Sequence, residues 1–170
     1  MKKFLVIGSL AAVMLMTGCS QKGSAVSDSA DSKVSGMTSG KDNFSDMDAK
    51  SALIRELESQ LKSVYFDFDK FNIRADMQPV VDGDAKVLTS AKAKGLTVKI
   101  EGNTDEWGTD EYNYALGLKR AVAVRDALVA KGVDQSKTML ISYGESKPVC
   151  QEKSKECWAK NRRVDFKLLP

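Results

Sequence analysis

From Ser20 to about Asp46 the chain is Ser, Gly, Asp, Lys and small residues, with Val26, Val34, Met37 and Phe44 as scattered exceptions. Such a stretch cannot bury enough apolar surface to offset the entropy of ordering it, so it is expected to act as a flexible tether. At roughly 30 residues its r.m.s. span is about 30 Å and its stretched limit is near 100 Å. It separates an apolar N-terminal run from a patterned C-terminal region. A folded domain is therefore confined to the latter, about 105 residues in a chain of 170.

Downstream of the tether, Leu53, Ile54, Leu57 and Leu61 recur at helical spacing with Arg55, Glu56, Glu58 and Lys62 opposite them, which predicts an amphipathic helix over 48–62. Two turns of apolar stripe are too few for a coiled coil, so this helix is expected to pack on the domain that follows. Val64-Tyr65-Phe66-Asp67-Phe68-Asp69 alternates as a half-buried strand, and a helix is expected from about Arg74 to Lys94, with Pro79 near its first turn. Leu96 to Glu101 reads as a second strand. Thr109 followed by Asp110 and Glu111 marks a helix start, with acids where the helix dipole favours them, and Gly132 marks its end. Met139 to Tyr143 is a third strand, 144–160 a long loop, and Arg163 to Leu168 a final strand. The order β-α-β-α-β-β specifies an α/β (α+β) sandwich over 63–170, a mixed sheet with helices packed on one face. On the second helix, Tyr114, Leu118, Val122 and Val129 are expected to face the sheet, with Asn113 and Arg120 at the edge of that stripe.

The first 18 residues carry a different signal. Lys2 and Lys3 precede an apolar run of 13 residues, Phe4 to Met16. That is the length of a signal-peptide core and falls short of the about 20 residues a membrane span needs. The run ends in Met16-Thr17-Gly18-Cys19, which resembles the lipobox of bacterial lipoproteins. The resemblance implies cleavage before Cys19 and acylation of its sulfur and amine, two or three chains giving stable attachment to outer-membrane lipid. Ser20, in place of the Asp that marks inner-membrane retention, favours the outer membrane, with 19–47 as lipidated Cys and tether. Removing the leader takes away two Lys and no acid, so the formal charge of +3 becomes +1 and no broad basic surface is left for nucleic acid. With Cys19 assigned to lipid, Cys150 and Cys157 remain in a chain bound for an oxidising compartment and are expected to form a disulfide. Two Cys without His cannot supply the four ligands of a structural metal site.

The chain contains no His. That removes Ser-His and Cys-His nucleophile pairs and His general bases. Carboxylates alone can cleave glycosides, and an alternative reading as a periplasmic cell-wall hydrolase would use Glu101 with Asp105.

Several blocks occur in order over the last two thirds of the chain: Val64 to Lys70, Glu101-Gly102-Asn103-Thr104-Asp105-Glu106 with Gly108-Thr109, Glu111-Tyr112-Asn113, Leu116-Gly117, Arg120-Ala121, Ser142-Tyr143-Gly144-Glu145, Lys147-Pro148 and Asn161-Arg162-Arg163-Val164. Together they resemble the peptidoglycan-binding domain of the OmpA-like family, and with the lipobox and tether in front the chain resembles the peptidoglycan-associated lipoproteins of the Tol-Pal envelope system. The resemblance implies a module with no catalytic residue, metal or cofactor. It would hold the diaminopimelate residue of the peptidoglycan stem peptide, link outer membrane to cell wall during constriction, and meet a periplasmic TolB-type partner. Diaminopimelate presents an ammonium and a carboxylate on one carbon, so its site needs a fixed anion and a fixed cation, and the planar fork of Arg suits the carboxylate. Carried onto this sequence, Asp105 takes the ammonium, Arg120 the carboxylate, Asp69 and Asn113 line the pocket, and Arg163 contributes. Trp107 stands where many members carry Arg, and either stacks on a ligand or anchors its loop.

Overall fold

The computed structural model describes residues 42–170. The signal segment 1–18, Cys19 and the tether up to residue 41 lie outside the described residues. No helix among the described residues is long and apolar enough to cross a membrane.

The first helix, α1, spans Asp42–Glu58, beginning and ending earlier than the 48–62 pattern indicates. It stops because Ser59 and Gln60 turn back on it, their side chains donating to the Glu56 carbonyl. Leu57 enters the core and Leu53, Ile54 and Leu61 pack against it. Glu58 accepts from the backbone N–H of Leu168 at 2.8 Å and so fastens this helix to the last strand.

Four strands follow: β1 (Val64–Tyr65), β2 (Thr97–Asn103), β3 (Thr138–Gly144) and β4 (Arg163–Leu169), in the spatial order β1-β4-β2-β3. β4 runs antiparallel to β1 and β2, while β2 and β3 are parallel, so the sheet is mixed as the element order requires. Register places Val98 opposite Leu168, Ile100 opposite Phe166 and Gly102 opposite Val164, which gathers the buried apolar side chains on one face. The alternate face carries charge: Lys99 pairs with Glu101 at 2.7 Å, and Arg163 with Asp165 at 2.9 Å. β1 is two residues rather than six because, beyond Phe66, the carbonyls of Asp67 and Lys70 bond to Arg120 instead of to a neighbouring strand.

α2 (Gln78–Leu88) is shorter than the expected 74–94, since Arg74 and Ser90 are extended and single 3-10 turns flank it. α3 (Asp110–Ala130) starts as expected, the Thr109 hydroxyl accepting from the N–H of Tyr112. Its buried face differs from the expected stripe: Asn113, Leu116, Gly117, Arg120, Ala121, Val124 and Leu128 turn inward, while Tyr114 is 56% exposed. The cause is a backbone-to-backbone crossing. A Cβ on Gly102 would lie 1.9 Å from the Gly117 carbonyl oxygen, so α3 sits on β2 with two glycines between them and is rotated to present that side. Finally, 144–160 is not all loop: α4 (Lys155–Asn161) forms within it, capped by the Ser154 hydroxyl, which accepts from the N–H of Cys157.

Candidate functional site

The site is built at the end of β2. Between Gly102 and Asn103 the β2–β3 register shifts, and Thr104 then donates its N–H to the Gly144 carbonyl, where the backbone has φ +52. This bulge turns the chain so that Thr104 and Asp105 point inward as the loop climbs to the start of α3. Asp105 is 3% exposed, and Arg162 Nη1 donates to it at 3.0 Å. Arg162 follows α4 directly and is fixed through Nε, which donates to the Phe66 carbonyl at 3.1 Å.

Behind this pair lies Arg120, fully buried over the Phe66 ring at 5.2 Å. Its Nε donates to the Lys70 carbonyl and its Nη1 to the Asn103 carbonyl, both at 2.8 Å, and its Nη2 donates to the Asp67 carbonyl at 3.3 Å. Burial pulls its pKa down to about 10, with the nearby Asp105 charge opposing that shift and Arg162 adding to it, so the guanidinium remains charged at neutral pH. Arg120 thus sits in the core of the helix–sheet interface, not at its rim. It ties the 67–70 loop to the end of β2, and two of its five N–H groups remain beyond those three carbonyls.

Asp69 stands on the 67–70 loop at φ 56 and accepts from the Tyr112 hydroxyl, whose pKa it raises. Asp69, Asp105, Phe68, Trp107, Gly108, Tyr112 and Leu116 enclose a cleft of about 250 Å³. Phe68, Trp107 and Tyr112 give it an aromatic rim, each between 48% and 60% exposed. Asn113 is buried one layer below, beside Gly108, with its Nδ2 donating to Glu145. Of the four buried side-chain polar atoms without a hydrogen-bond partner among the described residues, three belong here: Asn103 Oδ1, Thr104 Oγ1 and Asn113 Oδ1. Each accepts, so this end of the fold holds unmet acceptors for an N–H donor.

The structure therefore brings Asp69, Asp105, Asn113 and Arg120 together. Arg163 is elsewhere: it bonds Asp165 on the charged sheet face and donates to the Lys147 carbonyl at 3.3 Å. Arg162, its neighbour in sequence, is the residue at Asp105. Strand alternation carries the signal for that choice, since Arg162 precedes the β4 ladder and Arg163 begins it. Glu101, the second carboxylate of the hydrolase reading, lines a different cleft with Glu58, Lys147 and Asp165. Burial pushes its pKa up, and hydrogen bonds from Lys147 and Lys99 outweigh that and hold it below the usual carboxylate range. Cys150 and Cys157 form a disulfide with Cα atoms 5.2 Å apart. It bounds the loop that leads into α4, where Trp158 meets Trp107 edge-on at 5.2 Å. No group of three or more His, Cys, Asp or Glu side chains among the described residues is placed to hold a metal ion.

A mixed sheet with α3 seated on glycine against β2, and with the β2–α3 loop forming a charged cleft, defines a domain class that comparison identifies. The OmpA family model matches residues 65–162. A peptidoglycan-associated lipoprotein of Pseudomonas aeruginosa is 36% identical over 98% of each chain, and one of Pasteurella multocida is 42% identical over 65% of this chain and 73% of its own. The crystal structure of the peptidoglycan-associated lipoprotein from Burkholderia pseudomallei superposes with a TM-score of 0.59 at 42% identity, covering 64% of this chain and 90% of that one. The chain belongs to the OmpA family, and within it to the peptidoglycan-associated lipoproteins.

Proposed function

We propose that this protein is an outer-membrane lipoprotein, anchored through Cys19, whose periplasmic domain binds the diaminopimelate residue of the peptidoglycan stem peptide without turning it over. The observation that carries this reading is a buried Asp105 in the wall of one small cleft, paired with Arg162 and within the field of the buried Arg120 guanidinium behind it. Asp105 offers the anion for an ammonium. Arg162 and the two remaining N–H groups of Arg120 offer the cation for a carboxylate, and the unpartnered amide oxygens of Asn103 and Asn113 accept further N–H donors. Binding exchanges the Arg162–Asp105 contact for contacts with a zwitterion, so no charge is left unpaired in either state.

The cleft holds and releases rather than reacts. It contains no nucleophile paired with a base, and its carboxylates are Asp69 and Asp105, each already hydrogen-bonded. Each contact with the wall can be weak, because many anchored copies face many stem peptides and the tether sets their effective concentration. Exchange with a TolB-type periplasmic partner during constriction follows from the same reading, with 1–18 as signal, a lipidated tether from Cys19 that ends where α1 begins at Asp42, and 63–170 as the wall-binding domain. Incubation of the protein with purified sacculi tests it. Cosedimentation without released muropeptides is expected, and soluble fragments in proportion to added protein would favour a hydrolase.

A further inference from the structure

Beside the Asp105 cleft lies a separate pocket of about 180 Å³, walled by Thr104, Glu106, Glu145, Glu152, Trp158 and the Pro148–Cys150 turn. Among the described residues none that lines it is Lys or Arg, so Glu106, Glu145 and Glu152 make its wall acidic, with Glu145 also accepting from Asn113 Nδ2. A second feature points to a ligand. Thr104 is 2% exposed, its N–H is used by the Gly144 carbonyl, and its hydroxyl has no hydrogen-bond partner. Trp158 supplies an aromatic wall, and its Nε1 donates to Glu106 at 3.2 Å, which enriches the indole face in electron density. The walls are fixed. Trp107 packs against Trp158, the disulfide closes the loop, and Asn161 Oδ1 accepts from the N–H groups of Val149 and Cys150 while its Nδ2 donates to the Cys150 carbonyl.

We propose that this pocket is a binding subsite for an alkylammonium group, the –CH2–NH3+ end of a lysine side chain or of a small diamine. Carboxylates, an aromatic face and a lone hydroxyl oxygen are the partners such a cation uses, with its methylene stem against Pro148 and the ring. Anionic ligands are repelled here, which distinguishes the pocket from the neighbouring cleft, where Arg162 is bonded to Asp105. A bare metal ion does not fit either, since the carboxylates are not grouped to hold one. Neither Asp105 nor Arg120 lines the pocket, so the inference stands apart from stem-peptide binding.

The chain has two Trp, Trp158 in the pocket wall and Trp107 edge-on against it, so the intrinsic fluorescence of the full-length protein responds to occupancy of the pocket. Titration with Nα-acetyl-lysine-N-methylamide and with 1,5-diaminopentane is expected to give a saturable change. Nα-acetyl-norleucine-N-methylamide, which has the stem without the charge, is expected to give none. Either ammonium probe binding more tightly than the other supports the subsite and assigns its source, protein-borne lysine or free diamine. Glu106→Gln combined with Glu152→Gln, both at exposed positions, is expected to weaken the ammonium probes at least about tenfold while leaving capture by sacculi unchanged. No saturable response, an equal response to the norleucine derivative, or undiminished binding by the double variant overturns the proposal. Loss of sacculus capture by the unsubstituted protein alongside intact ammonium binding would count against the stem-peptide reading alone.

Discussion

The two ends of the sheet are built on different principles. At one end Leu88, Ala93, Leu96, Val98, Val133 and Leu168 give a hollow of about 410 Å³ its apolar surface, with Lys94, Asp134 and Lys137 also lining it. At the other, a buried carboxylate, two guanidiniums and three unpartnered polar oxygens occupy comparable depth beside an exposed aromatic rim. Hydrophobic burial stabilises the first end directly. The second carries desolvated charge, which packed apolar side chains of the same volume would often match or exceed in stability. A fold does not need that arrangement for its own sake, which is the physical ground for placing the ligand there.

The contrast can be broken by substitution at either end. Arg120→Met is expected to lose about 3–5 kcal/mol of stability in urea unfolding, because three carbonyls and the 67–70 loop lose their common donor. A loss under about 1 kcal/mol would show that the guanidinium does not organise that loop. At the apolar end, Leu96→Ala is expected to cost about 3 kcal/mol by cavity formation, with sacculus binding per folded molecule unchanged. Reduced binding by that variant would mean the two ends are coupled.

Another buried acid, Asp84, sits on α2. Burial raises its carboxyl to about 6, against the opposing N–H of Lys62. The folded protein therefore takes up this proton before the unfolded chain does. Stability is full below the ordinary value near 3.8 and falls as the pH rises through about 6, by about 3 kcal/mol. Asp84→Asn is expected to flatten that fall, and an unchanged slope between pH 4 and 7 would assign it to another group. The smallest effect expected is from Cys150→Ser with Cys157→Ser, about 2 kcal/mol or less for so short a loop, read by thermal unfolding with and without reductant.

Much of this division was legible in the sequence. Alternation and caps located the strands and α3, because Thr109 and Gly132 are local signals that tertiary contacts did not override. The buried face of α3 was not legible from hydrophobicity, since four of its seven members are Asn113, Gly117, Arg120 and Ala121, residues a hydropathy stripe passes over. The Gly102–Gly117 crossing that selects this face depends on two positions fifteen residues apart. α4 was hidden in a polar segment whose only local mark is Ser154, and with it went the placement of Arg162 and of Trp158. Asp105 and Arg120 were located by family resemblance, while the depth of Arg120 came only from the fold.

The most direct test is calorimetric titration with a diaminopimelate-containing stem tripeptide and its lysine-containing counterpart, on the protein and on Asp105→Asn. Binding of the diaminopimelate peptide is expected, with weaker binding of the lysine peptide and a loss of about 2–5 kcal/mol in Asp105→Asn with the fold retained. Equal binding of both peptides, or full affinity in a folded Asp105→Asn, would contradict recognition of diaminopimelate through Asp105.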